Sequence, residues 1–154
     1  MDVAPSPTPS PASGHDRRPG IVVDTQVVMD WLVFNDPRVQ ALGVALRAGA
    51  VRWWVAPAMR DEIRHVLGRG VAARYAPDIA LVEAHFDAHA EAVEQATPSP
   101  RLVCRDPDDQ KFIDLALARG AHWLVSRDKA LLTLARRAAP RGLRITKPEH
   151  WSLE

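Results

Sequence analysis

Four acidic residues, Asp24, Glu62, Asp109 and Asp128, stand where their carboxylates can converge. Asp24 closes the apolar run Gly20-Ile21-Val22-Val23, and Asp128 follows Trp123-Leu124-Val125-Ser126. Both therefore fall where a buried parallel strand delivers a side chain to the carboxyl edge of a sheet, the edge at which open α/β sheets place their sites. Several carboxylates gathered without a set of His or Cys ligands favour a hard cation, Mg²⁺ or Mn²⁺, bound through oxygen and water. Such an ion lowers the pKa of a bound water and stabilises charge on a leaving oxygen, which is the chemistry of phosphodiester hydrolysis.

The elements that must position these acids follow from periodicity and punctuation. A short strand at 21–23 is followed by an apolar helix over 25–34, and Asn35-Asp36-Pro37 turns into a second helix reaching about 48, with Pro37 in its first turn and Gly49 at its end. Strand composition at 51–55 precedes a helix from Pro57 to about 67, which Gly68-Arg69-Gly70 breaks. Two helical stretches follow, the longer over 77–95. Strands are expected at 102–104, 123–126 and 143–145, with helices over 109–118 and 129–138 between them. Short apolar strands alternating with helices predict an α/β fold, a three-layer sandwich with a mostly parallel central sheet flanked by helices.

Helical geometry selects among the acids. On the helix after Pro57 the residues Met59, Ile63, Val66 and Leu67 define the buried face, with Glu62 on its flank and Asp61 nearly opposite. On the helix after the Asp106-Pro107-Asp108 turn, Phe112, Ile113 and Ala116 define the inner face. Asp109 is aligned with that face one turn earlier, and Asp114 is expected to project outward. An acid at the rim of an apolar face is costly unless a cation or hydrogen bonds compensate it. Each acid also has a plainer role: Asp109 and Asp128 precede helices and can cap them, Asp24 can be a turn residue, and Glu62 a solvated helix acid.

Composition narrows the class. The chain has 154 residues, 47% of them hydrophobic, and a net charge of +1, which suits one domain with a substantial core and gives no broad basic footprint for sequence-independent nucleic-acid binding. A single cysteine, Cys104, forbids an intrachain disulfide and fits a reducing cytoplasm, with a buried structural thiol as its role. Residues 1–19 are rich in Pro, Ser and Ala and are expected to form a disordered tail, leaving 20–154 as the folded domain. They hold no apolar stretch of signal-peptide or membrane-span length, so no membrane association is expected.

The segments Val23-Asp24-Thr25-Gln26-Val27-Val28, Met59-Arg60-Asp61-Glu62-Ile63, Asp106-Pro107-Asp108-Asp109-Gln110-Lys111-Phe112 and Leu124-Val125-Ser126-Arg127-Asp128-Lys129-Ala130-Leu131-Leu132 together resemble the PIN-domain family. Within it they resemble the VapC-related branch, the toxin components of type II toxin–antitoxin systems. The resemblance implies a PIN-like nuclease domain that cleaves RNA internally with Mg²⁺ or Mn²⁺. It also implies that Asp24, Glu62, Asp109 and Asp128 are its catalytic and metal-site acids, a small antitoxin as partner and a homodimer whose two sites line one groove. On this reading Asp24, Asp109 and Asp128 are metal ligands, and Glu62 is a ligand or holds the nucleophilic water. Ser126 orients Asp128, Thr25 supports the site, and Arg127 or Lys111 contacts phosphate. Gln26 stands where the family usually has Asn, Gln110 likewise, and Ser126 where Thr is common; amides and hydroxyls there would orient carboxylates.

Other signals are weaker. His85 and His89 share a helix face, without the Glu of a zinc-protease motif or a third ligand. A haloacid-dehalogenase-type phosphatase needs Asp at position 26, and a receiver domain needs an acidic pair after its first strand. The alternatives from other classes are a non-catalytic PIN-like module binding RNA or protein and a housekeeping RNA-processing nuclease. Trp31, Val33, Phe34 and the Trp53-Trp54 pair could serve partner contact, although core packing is their expected use.

Overall fold

The computed structural model describes residues 16–69, 74 and 78–153. Five strands, β1 (Gly20–Val23), β2 (Arg52–Val55), β3 (Ala90–Ala92), β4 (Trp123–Val125) and β5 (Arg144–Thr146), form one all-parallel sheet in the order β3-β2-β1-β4-β5. Every residue of β1 and of β4 is buried, as expected of strands covered on both faces. Ile21 is paired with Trp53 on one side and with Trp123 on the other, which sets β1 at the centre.

Parallel neighbours need crossover connections, and helices supply them. Those described are α1 (Thr25–Leu32), α2 (Gln40–Ala48), α3 (Pro57–Leu67), α4 (Ile79–His89), α5 (Gln110–Arg119), α6 (Lys129–Leu132) and α7 (Ala135–Ala138). The chain steps outward from β1 through β2 to β3, then returns to lay β4 against the other side of β1. That reversal makes the carboxyl ends of β1 and β4 a topological switch point, where open α/β sheets have a crevice for ligands. Asp24 directly follows β1, and Asp128 lies three residues beyond the end of β4.

The core beneath the crevice is aromatic on the β2 side. Trp53 packs against Trp31 of α1 and Phe86 of α4, with ring centroids 5.8 and 5.0 Å away. Such pairs add roughly 0.5–1.5 kcal/mol each beyond the area they bury. Trp31, Trp53 and Trp54 are all buried, so core packing is their use, while Val33 and Phe34 are half-buried.

Four expectations need correction. The third strand is not at 102–104; it is Ala90–Ala92, inside the stretch expected to be helical, and α4 stops at His89. Pairing explains this, because Val93 N–H donates to Val55 O at 3.0 Å and Arg52 grips Glu91 with two 2.8 Å bonds. Residues 129–138 form two short helices rather than one. Asp114 does not project outward: it is buried, with Arg101 and Gln110 bonded to its carboxylate. Residues 1–15 of the expected tail, and the shorter helical stretch before α4, lie outside the described residues in whole or in large part. Residues 16–19 are tied to the sheet, since Pro19 O accepts from Arg52 N–H at 2.8 Å and Arg18 donates to Gly49 O at 3.1 Å.

Candidate metal centre

Asp24 is delivered by β1 and is also the N-cap of α1, its Oδ1 accepting from Gln26 N–H at 3.4 Å. Its Oδ2 accepts from Ser126 Oγ at 2.6 Å. Ser126 is wholly buried, and the same hydroxyl oxygen accepts Asp128 N–H at 2.9 Å. One side chain thus couples the two strand-end acids across β1 and β4. It orients the carboxylate of Asp24 and the backbone of Asp128, and so does more than the orienting of Asp128 expected from the sequence.

Asp128 caps α6 through Oδ1, which accepts Ala130 N–H at 2.8 Å. Asp109 is different. It ends a 3₁₀ turn, Pro107–Asp109, and precedes α5 without capping it by its side chain. Asp109 is buried, and its Oδ2 has no hydrogen-bond partner. A buried, unsatisfied carboxylate oxygen costs on the order of 1–3 kcal/mol, so capping does not account for this residue.

Asp109 and Asp128 are joined by Asp106, which its place in the sequence marks only as a turn residue. Asp106, Asp109 and Asp128 each present one carboxylate oxygen within 4.8 Å of the others. The signal was in the spacing: a 3₁₀ turn has three residues per turn, so positions i and i+3 eclipse, and Asp106 precedes Asp109 by three. Pro107 at the first position of that turn, with Asp106 accepting Asp108 N–H at 3.0 Å, fixes the turn locally.

Glu62 lies on the flank of α3, half-buried, as its helical phase predicts, while Asp61 is exposed and pairs with Arg64. Two groups hold its carboxylate: Thr25 Oγ1 donates to Oε1, and Lys111 Nζ lies 3.2 Å from Oε2. Lys111 also donates to Asp108 O, which ties α3, α5 and the 3₁₀ turn together at one point.

The electrostatics reflect crowding. Burial, a hydrogen bond with Asp128 and repulsion from Asp24, Asp128 and Asp106 push Asp109 up to about 8. Burial likewise raises Asp24, with Ser126 and the Gln26 N–H opposing it and Glu62 and Asp128 adding repulsion. At an effective dielectric near 20, two ionised carboxylates within 4.8 Å repel by about 3 kcal/mol or more. The cluster is therefore stable only with a proton shared among its members or a cation between them. Oxygen donors alone, one of them buried and orphaned, fit Mg²⁺ or Mn²⁺.

The remaining residues sort by partner. Arg127 is bound to three carboxylates, Asp30 (3.1 Å), Glu149 (2.6 Å) and Asp36 (3.5 Å), so a phosphate could reach it only by displacing one of them. Gln26 turns away from the acids and donates to Asp30 Oδ1 at 2.9 Å. Gln110 also leaves the site: its Oε1 accepts Cys104 N–H at 2.7 Å and its Nε2 donates to Leu102 O at 2.8 Å. This side chain holds 102–104 in place of a sheet ladder and so fixes the loop that carries Asp106 and Asp109. Cys104 is buried, and burial pushes its thiol up, as befits a structural residue. His85 is bonded to Leu81 O at 2.9 Å and packs on Trp31, a helix-face role.

A search of curated proteins found no match to this chain. The family profile described as PIN domain matches residues 20–130, a span that holds β1, α3, α5, β4 and all four of the acids singled out by spacing. With a five-stranded parallel sheet, an acidic crevice at its switch point and a match over most of its length, the chain belongs to the PIN-domain family.

Proposed function

We propose that the protein is a metal-dependent endoribonuclease of the VapC-related toxin branch, with Asp24, Asp109 and Asp128 as ligands of Mg²⁺ or Mn²⁺. The observation that carries the reading is the orphaned, buried Oδ2 of Asp109 among like charges. PIN domains are generally metal-dependent nucleases, and the span matched to that family holds Asp24, Glu62, Asp109 and Asp128, which supports the reading.

When bound, the ion supplies Lewis-acid stabilisation of the phosphate and acidifies a water. The chain's residues do the rest. Asp24 is oriented by Ser126 and cannot rotate away without breaking a 2.6 Å bond. Glu62, gripped by Thr25 and Lys111, presents a fixed carboxylate that accepts the proton of the attacking water as its oxygen adds to phosphorus and the bond to the leaving ribose oxygen breaks. Lys111 is the cation closest to this carboxylate, and its ammonium would meet a non-bridging phosphate oxygen at the rim. A small antitoxin that covers the acidic crevice, and a homodimer that pairs two crevices, belong to the same proposal.

Cleavage of a panel of structured and single-stranded RNAs by purified protein in EDTA, Mg²⁺ or Mn²⁺ tests the activity. The expected result is metal-dependent internal cuts that vanish in Asp24→Asn. Growth arrest on expression, relieved by the adjacent reading frame, tests the toxin role; healthy growth at high expression of active nuclease would favour a housekeeping enzyme.

A further inference from the structure

Most of the described acids outside the crevice have a basic partner. Arg18 and Arg52 hold Asp16, Arg52 holds Glu91, Arg60 and Arg64 share Glu83, Arg101 holds Asp114, and Arg127 serves Asp30, Asp36 and Glu149. Even Glu62, inside the crevice, has Lys111. Among the described residues Asp106, Asp109 and Asp128 form no salt bridge, although each brings a carboxylate oxygen within 4.8 Å of the others. A fold that supplies guanidinium groups so freely elsewhere leaves this corner without a fixed counter-charge.

Helix capping does not explain the crowding. Asp106 caps its turn through one oxygen, as Asp128 does for α6, and an Asn or Ser would do so equally well without adding charge. Asp109 caps nothing, and its side chain, one of the three that meet here, has a buried Oδ2 without a hydrogen-bond partner. The turn itself is built to bring Asp106 over Asp109, since Pro107 starts a 3₁₀ turn whose three-residue repeat aligns them.

We propose that Asp106 is a direct ligand of the catalytic cation, so that the ion's principal anchors are Asp106, Asp109 and Asp128. Asp24 approaches from the β1 side and Glu62 is left to its Thr25 and Lys111 contacts. The proposal rests on the metal-dependent reading above and assigns a ligand that reading does not contain. It also gives the Asp106-Pro107-Asp108-Asp109 segment a single purpose: two carboxylates on one rigid turn, presented to a third at the end of β4.

The test is Mn²⁺ binding by the full chain, followed by the electron paramagnetic resonance of free Mn²⁺ and by the Mn²⁺-induced rise in melting temperature, with no substrate present. Asp106→Asn keeps the cap acceptor and removes the charge; Asp108→Asn removes a charge two residues away that has no place in the corner. Asp106→Asn is expected to weaken Mn²⁺ binding at least about tenfold, equivalent to about 1.4 kcal/mol, while Asp108→Asn stays within about twofold of the parent. In EDTA, Asp106→Asn should melt no lower than the parent, because the cap remains and a repulsion is gone. If Asn disturbs the turn, Asp106→Ser, which also retains a cap acceptor, supplies the same comparison. Tight binding by the parent and equally tight binding by both Asp106 variants overturns this assignment and leaves the metal-dependent reading intact. Absence of Mn²⁺ binding by the parent overturns both.

Discussion

Adding Mn²⁺ to the metal-free protein should expel a proton, and the amount follows from Asp109. With that carboxyl pushed up to about 8, it is roughly 90% protonated at pH 7, so binding there should release about 0.9 proton. The apparent affinity should improve as pH rises and the competing proton leaves, by about an order of magnitude between pH 6.5 and pH 8.0. Calorimetric titration in two buffers of different ionisation enthalpy, under anaerobic conditions, measures both quantities. Asp109→Asn should bind weakly with no proton release near neutrality. The same group sets the stability of the metal-free fold. Because its pKa is raised on folding, from 3.8 to about 8, the native state binds more protons than the unfolded chain within that window. The stabilisation is complete below the lower value and is lost as pH rises through the upper one. Asp24, raised in the same direction, adds to the trend. A proton release near zero at pH 7, together with an affinity that does not change between pH 6.5 and 8.0, would refute the crowded, protonated corner on which the site rests.

Further outcomes concern the scaffold. Arg127→Met should cost about 3 kcal/mol by leaving the buried Asp30 uncompensated, and lower the melting temperature by roughly 6–12 °C in thermal denaturation. Gln110→Ala frees Cys104 N–H, Leu102 O and Asp114 at once and should cost about 2 kcal/mol in urea unfolding, with faster amide exchange at Cys104 than elsewhere in the core. Gly43→Ala gains helix propensity yet sets a Cβ 2.3 Å from Trp31 Nε1, so it should destabilise by about 1–3 kcal/mol, and an unchanged urea midpoint would show that Trp31 can move.

How far the sequence carried depends on whether a residue's placement is local. Asp24 and Asp128 were legible because an apolar run ending in an acid fixes a strand end, and Glu62 because the phase of Met59, Ile63 and Leu67 fixes the flank of α3. Ala90-Glu91-Ala92 was not: it lacks β-branched residues and becomes a strand through its pairing with β2 and the Arg52–Glu91 grip, both non-local. Conversely, Leu102-Val103-Cys104 has strand composition, but its hydrogen bonds are taken by the side chain of Gln110. Asp114 was misplaced because its burial depends on Arg101, 13 residues earlier in a loop whose path periodicity does not describe. Asp106 was missed although its spacing to Asp109 was visible, since the turn was assigned no period of its own.

We propose that the crevice carboxylates make this protein a metal-dependent ribonuclease. Cleavage of the RNA panel by the parent, Asp24→Asn and Asp128→Asn, each shown to be folded, tests it most directly. Internal cuts that require Mg²⁺ or Mn²⁺, disappear in EDTA and are lost in both variants are the predicted result. Cleavage that persists at the parent's rate in Asp24→Asn and Asp128→Asn, or that is indifferent to EDTA, would contradict it.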